Sequence, residues 1–250
     1  MKAIMLAAGV GERLGGGSKH PPKAILRFGG KSLLGRHVEI LRHFGVDELV
    51  VAVGYRAELI HDEIAAIGAE DFVRTVLNPD YQKKGPIVTL WSLRAEFDGN
   101  DAVIFMDADV LYDDRLMARL LDSPHANCFL LDRDIEPGED PVKLCIRDGL
   151  LVDFHKKLRT PCDYYGEWVG FVRLAPEVAQ RVGPATDRYI EAGRTEEIYE
   201  EVFRDLLLAL PPGTFGFEDI TGLPWIEIDF PEDLRRAHDE ILPRLKELTR

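Results

Sequence analysis

Through its first half the chain alternates short apolar runs with segments of helical spacing, and this alternation limits the choice of fold more than any other feature. "KAIML" reads as a strand. "SLLGRHVEILRHFG" places Leu33, Leu34, Val38 and Leu41 at helical spacing and stops at Gly45. "ELVVAVG" is a second strand, "RAELIHDEIAAIG" a helix ending at Gly68, "FVRTVL" a strand, "IVTLWSLRAEF" a helix and "DAVIFMDAD" a central buried strand. Strands separated by helices must cross over to pair in parallel, which predicts an α/β sheet covered by helices.

The second half has a different pattern. "PVKLCIRDGLLVDF" is two short strands around Asp148-Gly149, a two-residue hairpin signal, and "GEWVGFVRL" is another strand. "TEEIYEEVFRDLLLAL" is an amphipathic helix, "WIEIDF" a final strand, and "PEDLRRAHDEILPRLKEL" a closing helix with Pro231 in its first turn. No low-complexity linker or repeat divides the chain, so the expectation is one domain over residues 1–250, in which 1–112 and 113–250 form two functional halves.

With 250 residues, 46% of them hydrophobic, the chain can bury a sizeable core. Its formal charge of −13 argues against a nucleic-acid or anionic-membrane partner, which would demand a basic surface. No stretch approaches the roughly 18 apolar residues of a membrane span, and "MKAIMLAAG" lacks a signal peptide's apolar core. Cys128, Cys145 and Cys162 match no metal or CxxC spacing and read as reduced thiols of a cytoplasmic protein. Oligomeric state is open, a homodimer included.

Against this acidic background "MLAAGVGERLGGGSKHPPKAIL", residues 5–26, combines glycines with Arg13, Lys19 and Lys23. A loop of this kind after a strand is where α/β folds take anions. A dinucleotide fingerprint fails because Leu14 stands where the third glycine is needed, and no Walker A run is present. What fits is L-A-A-G-x-G-x-R-L, a glycine-rich segment and P-K, here "LAAGVGERL", "GGGSKHP" and "PK".

This signature, with "FGGKSLLGRHVEIL", "VGYRAELI" and "MDADVLY" after it, resembles the nucleotidyltransferases that move a nucleoside monophosphate from a triphosphate onto a phosphorylated substrate. The resemblance covers most of the chain, most strongly residues 1–112. It implies a single Rossmann-like, glycosyltransferase-A-like three-layer sandwich with a mixed, mostly parallel sheet. It also implies that Leu6, Ala7, Ala8, Gly9, Gly11, Gly85 and Asp107 sit at the nucleotide.

Such transfer needs no protein nucleophile, because the acceptor's phosphate oxygen attacks the α-phosphorus in line. The protein must orient two polyanions and neutralise charge growing on pyrophosphate. Glycines let backbone amides approach the phosphates, Arg13 can fork onto the β- and γ-phosphates, and Lys23 supplies a compact charge nearer the α-phosphate. Lys19 is a weaker candidate of the same kind.

Asp107 and Asp109 end an apolar strand two residues apart and so face one side. In "WIEIDF" Glu227 and Asp229 share a face. Hard oxygen donors of this kind suit Mg²⁺, and the resemblance makes Asp109 and Asp229 the metal ligands, with Asp107 supporting and Glu227 less certain. "VDFHKKL" resembles the segment where relatives place a lysine against the acceptor phosphate, which favours Lys156 over Lys157, while His20 and His155 are read as structural or solvent-facing.

The second half resembles small bacterial cytidylyltransferases acting on phosphocholine and similar phospho-alcohols or phosphonates, carried by "NPDYQKKGPIVTLWSL", "GEWVGFVRL" and "WIEIDFPEDL". In "CDYYGEW" and "DRYIE", Tyr165, Glu167, Trp168 and Tyr189 could surround an acceptor ammonium. The expected partners are thus a nucleoside triphosphate and a phosphorylated acceptor. The alternatives are a sugar-1-phosphate nucleotidyltransferase using UTP or dTTP, and a nucleotide-binding regulator without turnover.

Overall fold

The computed structural model describes residues 1–15, 20–135 and 141–246; Lys19, one of the cations considered above, lies outside them. Strand β1 (Lys2–Ala7) runs into the glycine loop and a small hairpin of β2 (Arg27–Phe28) and β3 (Lys31–Ser32). Then α1 (Leu33–His43), β4 (Glu48–Val53), α2 (Ala57–Ala66), β5 (Val73–Leu77), α3 (Pro86–Ser92) and β6 (Val103–Asp107) alternate as the hydrophobic pattern predicts. The Ser32 hydroxyl accepts the Gly35 N–H at 2.9 Å and caps α1. Gly45 then ends the turn after α1 at φ 71°, a conformation that favours glycine.

The second half adds β7 (Val110–Tyr112), α4 (Asp114–Asp122), β8 (Cys128–Asp132), β9 (Lys143–Arg147), β10 (Leu150–His155) and the long β11 (Tyr164–Leu174). They are followed by α5 (Pro176–Ala179), α6 (Val182–Glu191), α7 (Glu200–Ala209), β12 (Gly216–Asp219), β13 (Trp225–Glu227) and α8 (Pro231–Arg236). β6, β1, β4 and β5 are parallel neighbours, and β11 joins β6 antiparallel. Among the described residues the main sheet has nine strands, the path β10-β9-β11-β6-β1-β4-β5 carrying β8 on β11 and β12 on β8. β9 and β10 form the expected hairpin, with positive φ at Asp148 (52°) and Gly149 (74°).

Period-two alternation along β1 explains the layers. Ala3 and Met5 pack on one face with Leu34 and Val38 of α1, Ile60 of α2 and Leu116 of α4. Ile4 packs on the other face with Leu90 of α3, Val182 of α6 and Phe203 of α7. With both faces covered, the parallel strands are apolar throughout, and each fully buried Leu or Ile stabilises by about 2 kcal/mol relative to exposure. The mixed, mostly parallel three-layer expectation therefore holds.

Local departures have visible causes. The segment read as one helix from Thr195 to Leu210 is helical only from Glu200, because Thr195 and Glu197 give their carbonyls to the Gly85 and Ile87 N–H groups at the start of α3. The helix read at "IVTLWSLRAEF" tightens into a 3-10 turn over Arg94–Phe97. The closing helix breaks after Arg236 into a π turn and a 3-10 turn containing Pro243, which has no N–H to give. β13 pairs with β7 in a two-stranded ribbon outside the main sheet.

The cysteine reading is corrected. Cys145 and Cys162 form a disulfide, with Cα atoms 5.4 Å apart, and Cys128 alone is a buried free thiol. The approach to β11 runs back along β9, Tyr165 opposite Cys145, so residues 17 apart in sequence become neighbours across the sheet. Spacing alone does not show such a cross-strand contact. Among the described residues no helix is long and apolar enough to cross a membrane.

Candidate active site

Parallel strands all present their C-terminal ends on one edge of a sheet, and the ends of β1 and β6 open here into a cavity of about 1160 Å³. The glycine loop lines it through Leu6, Ala7, Ala8, Gly9 and Gly11. Gly11 has φ 69°, a conformation that favours glycine, and a Cβ there would lie 3.2 Å from His20 Cε1 and in ordinary contact with Lys23, whose side chain passes it on its path to the site.

Two carboxylates from distant parts of the chain meet at the end of that path. Lys23 Nζ donates to Asp109 Oδ2 at 2.7 Å and to Asp229 Oδ1 at 2.6 Å. Arg13 Nη1 reaches Asp229 Oδ2 at 2.8 Å, its guanidinium 5.5 Å from the Phe230 ring centroid. Burial works against the Lys23 charge, yet Asp109 and Asp229 outweigh it and the pKa is raised above the usual lysine value.

Backbone pairing brings the acids together. β13 runs antiparallel to β7, Glu227 opposite Val110, and the Ile228 N–H donates to the Asp109 carbonyl at 2.9 Å. Asp233 Oδ2 accepts the Asp229 and Phe230 N–H groups at 2.9 and 2.7 Å, fixing the start of α8. Phe28, Leu33, Leu111, Ile226, Ile228 and Ile241 form an apolar base beneath this ribbon. His37, fully buried with its pKa lowered by burial to about 4, donates Nε2–H to the Ala108 carbonyl at 3.2 Å and steadies the turn between the two strand-end aspartates.

Asp109, Glu227 and Asp229 each offer an oxygen within 4.8 Å of the others, close enough to share one small divalent cation. Glu227 opens onto the cavity but lies deep in the cleft; that depth, and then the charges of Asp109 and Asp229, hold its carboxyl pKa well above the usual range. Asp107 stands apart from this set. Burial, and then the charge of Asp109, raise its pKa, and its Oδ2 accepts the Tyr199 hydroxyl at 2.6 Å. Gly170, at φ 85°, leaves it room, since a Cβ there would lie 2.9 Å from Asp107 Oδ2.

Arg13, Lys23, Asp107, Asp109, Lys156, Glu167, Trp168 and Asp229 all line the cavity, as the sequence suggests. Gly85, Tyr165 and Tyr189, also expected at the site, are not among the residues that line it. Gly85 packs against the Glu196 backbone, where a Cβ would lie 2.7 Å away, while Lys84 and Pro86 on either side reach the cavity. Tyr165 is 49% exposed on the opposite pleat, and Tyr189 is buried on α6 with its hydroxyl 2.7 Å from Asp205. His155 pairs with Glu201 at 2.8 Å, and His20 Nδ1 lies 2.9 Å from the Pro21 carbonyl.

Sequence reasoning missed Tyr81, Tyr199 and Glu200, which also line the cavity. Reading Thr195–Leu210 as continuous helix hid the last two. The backbone pairing with α3 turns that segment into a loop and delivers Tyr199 and Glu200 to the site.

A parallel sheet with the glycine loop after its first strand and paired acids across the strand ends is the α/β nucleotidyltransferase fold. The chain belongs to the MobA-like NTP transferase domain family, whose model matches residues 3–157. It is similar to CMP-5'-(3-aminopropyl)phosphonate synthase of Streptomyces rubellomurinus, 27% identical over 97% of this chain and 39% of the relative. It is also similar to the bifunctional IPC transferase and DIPP synthase of Rubrobacter xylanophilus, 32% identical over 96% of this chain and 52% of the relative. The chain thus spans from about two fifths to half of the length of these two relatives. The solved structure of CTP:phosphocholine cytidylyltransferase from Streptococcus pneumoniae shares the fold, with a TM-score of 0.74 at 21% identity over 95% of this chain and 97% of that one.

Proposed function

We propose that this chain transfers a cytidylyl group from CTP to a small phosphorylated amino-alcohol or phosphonate in a Mg²⁺-dependent reaction that releases pyrophosphate. The observation that carries the reading is the meeting of Asp109, Glu227 and Asp229 with Lys23 and Arg13 at the mouth of the glycine loop. Names of relatives that contain CTP, CMP or cytidylyltransferase support the choice of base.

The donor chemistry fits Mg²⁺: three hard carboxylate oxygens within 4.8 Å, leaving places for phosphate oxygens and water. Once bound, the ion would polarise the α-phosphate and offset charge on the attacking oxygen. The chain's own groups do the rest. The glycine loop presents its backbone to the triphosphate, and Arg13 and Lys23 turn from Asp229 and Asp109 onto phosphate oxygens, where they stabilise charge passing to pyrophosphate. Lys156, across the cavity, orients the acceptor phosphate for in-line attack.

In the ligand-free arrangement Asp109 and Asp229 are paired with Lys23 and Arg13, and burial, then the charges of Asp109 and Asp229, raise the pKa of Glu227 beside them. Divalent metal and triphosphate would exchange into that network without leaving buried charge unpaired. Pyrophosphate release over a panel of nucleotides and acceptors tests the reading. It predicts turnover with CTP and a non-sugar phosphorylated acceptor. Turnover only with UTP or dTTP and a sugar phosphate, or tight nucleotide binding with no turnover, would contradict it.

A further inference from the structure

We propose that the Glu200 carboxyl binds a protonated primary amine on the acceptor, so that the substrate is an aminoalkyl phosphate or phosphonate whose nitrogen carries N–H groups. This rests on the transferase reading above and narrows its acceptor.

Glu200 opens α7 and lines the cavity, and its Oε2 is buried with no hydrogen-bond partner among the described residues. Its own backbone N–H is the hydrogen-bonding group that acts on the carboxyl, and Lys156 is the cation that acts on it. Buried carboxylate oxygens rarely lack a donor, because an acceptor taken from water without replacement is costly. Burial accordingly raises the Glu200 pKa to about 7. An ammonium N–H supplies what is missing, a donor and a positive charge together. Lys156 lines the same cavity, so a zwitterionic acceptor would find a cation for its phosphate and an acid for its amine.

The same geometry disfavours a quaternary ammonium. Such a group has no N–H and is held by aromatic faces around it. Tyr165 and Tyr189, which would complete such a cage, lie outside the cavity. Of the aromatic side chains that do line it, Phe230 lies under Arg13 and Tyr81 lies beside Tyr55, while Trp168 and Tyr199 pack edge to face on one another, centroids 6.2 Å apart. Their polar atoms are engaged with the Phe171 carbonyl and Asp107.

Phosphoethanolamine, phosphocholine and ethyl phosphate form a series that differs only at the nitrogen. Calorimetric titration of each into the protein, with Mg²⁺ and a non-hydrolysable CTP analogue present, separates the cases. The wild type is expected to bind phosphoethanolamine at least about tenfold tighter than the other two. Glu200→Gln is expected to bring all three within about threefold of one another, and Glu200→Asp, which keeps the charge, to retain part of the preference. Equal or tighter binding of phosphocholine, preference intact in Glu200→Gln, or no binding of phosphoethanolamine would overturn the proposal. Amine preference without CTP turnover would overturn the transferase reading instead, and turnover best with phosphocholine would overturn only this assignment.

Discussion

The Ile228 N–H donates to the Asp109 carbonyl at 2.9 Å, and this one backbone contact sets the register in which two acids 120 residues apart reach the same lysine. Because main chain makes the join, the side chains at the site can change without dissolving it. Function and folding can therefore be tested separately.

Arg13 illustrates the separation. Its side chain is 59% exposed and sits on a loop that contributes little to the core. Arg13→Ala is expected to leave the thermal midpoint nearly unchanged while lowering turnover by a factor on the order of 10² or more, the usual cost of losing a transition-state charge contact. Steady-state pyrophosphate release alongside a circular dichroism melt measures both.

Gly170 is a position where fold and site coincide. At φ 85°, with Asp107 Oδ2 2.9 Å from where a Cβ would be, Gly170→Ala adds backbone strain and a clash. A loss of stability of about 1 kcal/mol or more in urea titration is expected. A variant as stable as the wild type would mean that β11 is not strained at its register shift around Gly170.

Much of this was legible in the sequence where periodicity or a long signature spoke. The alternation in "KAIML" and "DAVIFMDAD" fixed the parallel strands, and "LAAGVGERL" with its later Pro-Lys pointed to Arg13 and Lys23. What failed depended on contacts between distant segments. Cys145 and Cys162 meet only across β9 and the approach to β11, and Thr195 leaves its helix only because Gly85 takes its carbonyl. Tyr165 and Trp168 sit on one strand, yet a pleat separates the exposed ring from the one at the cavity, and loop residues around "CDYYGEW" carry no alternation to say which is which.

Glu200 predicts a pH dependence with a definite sign. Its pKa is raised, by burial first, from an ordinary value of 4.5 to about 7, so the folded state holds a proton that the unfolded chain has released between those values. Its contribution to stability is therefore full below about pH 4.5 and is lost as pH rises through about 7. Glu200→Gln, always neutral, should gain stability relative to the wild type across that window, as denaturant midpoints measured at pH 5 and pH 8 would reveal. A constant difference between the two proteins would contradict the assignment.

The central claim is that Asp109 and Asp229 act through a shared divalent ion beside Lys23. Pyrophosphate release from CTP with an aminoalkyl phosphate, titrated with Mg²⁺ in the wild type, Asp109→Asn and Asp229→Asn, tests it most directly. The account predicts no turnover without the ion and a fall on the order of 10² or more in each folded variant. Turnover that is independent of Mg²⁺, or unchanged in Asp109→Asn, would contradict it.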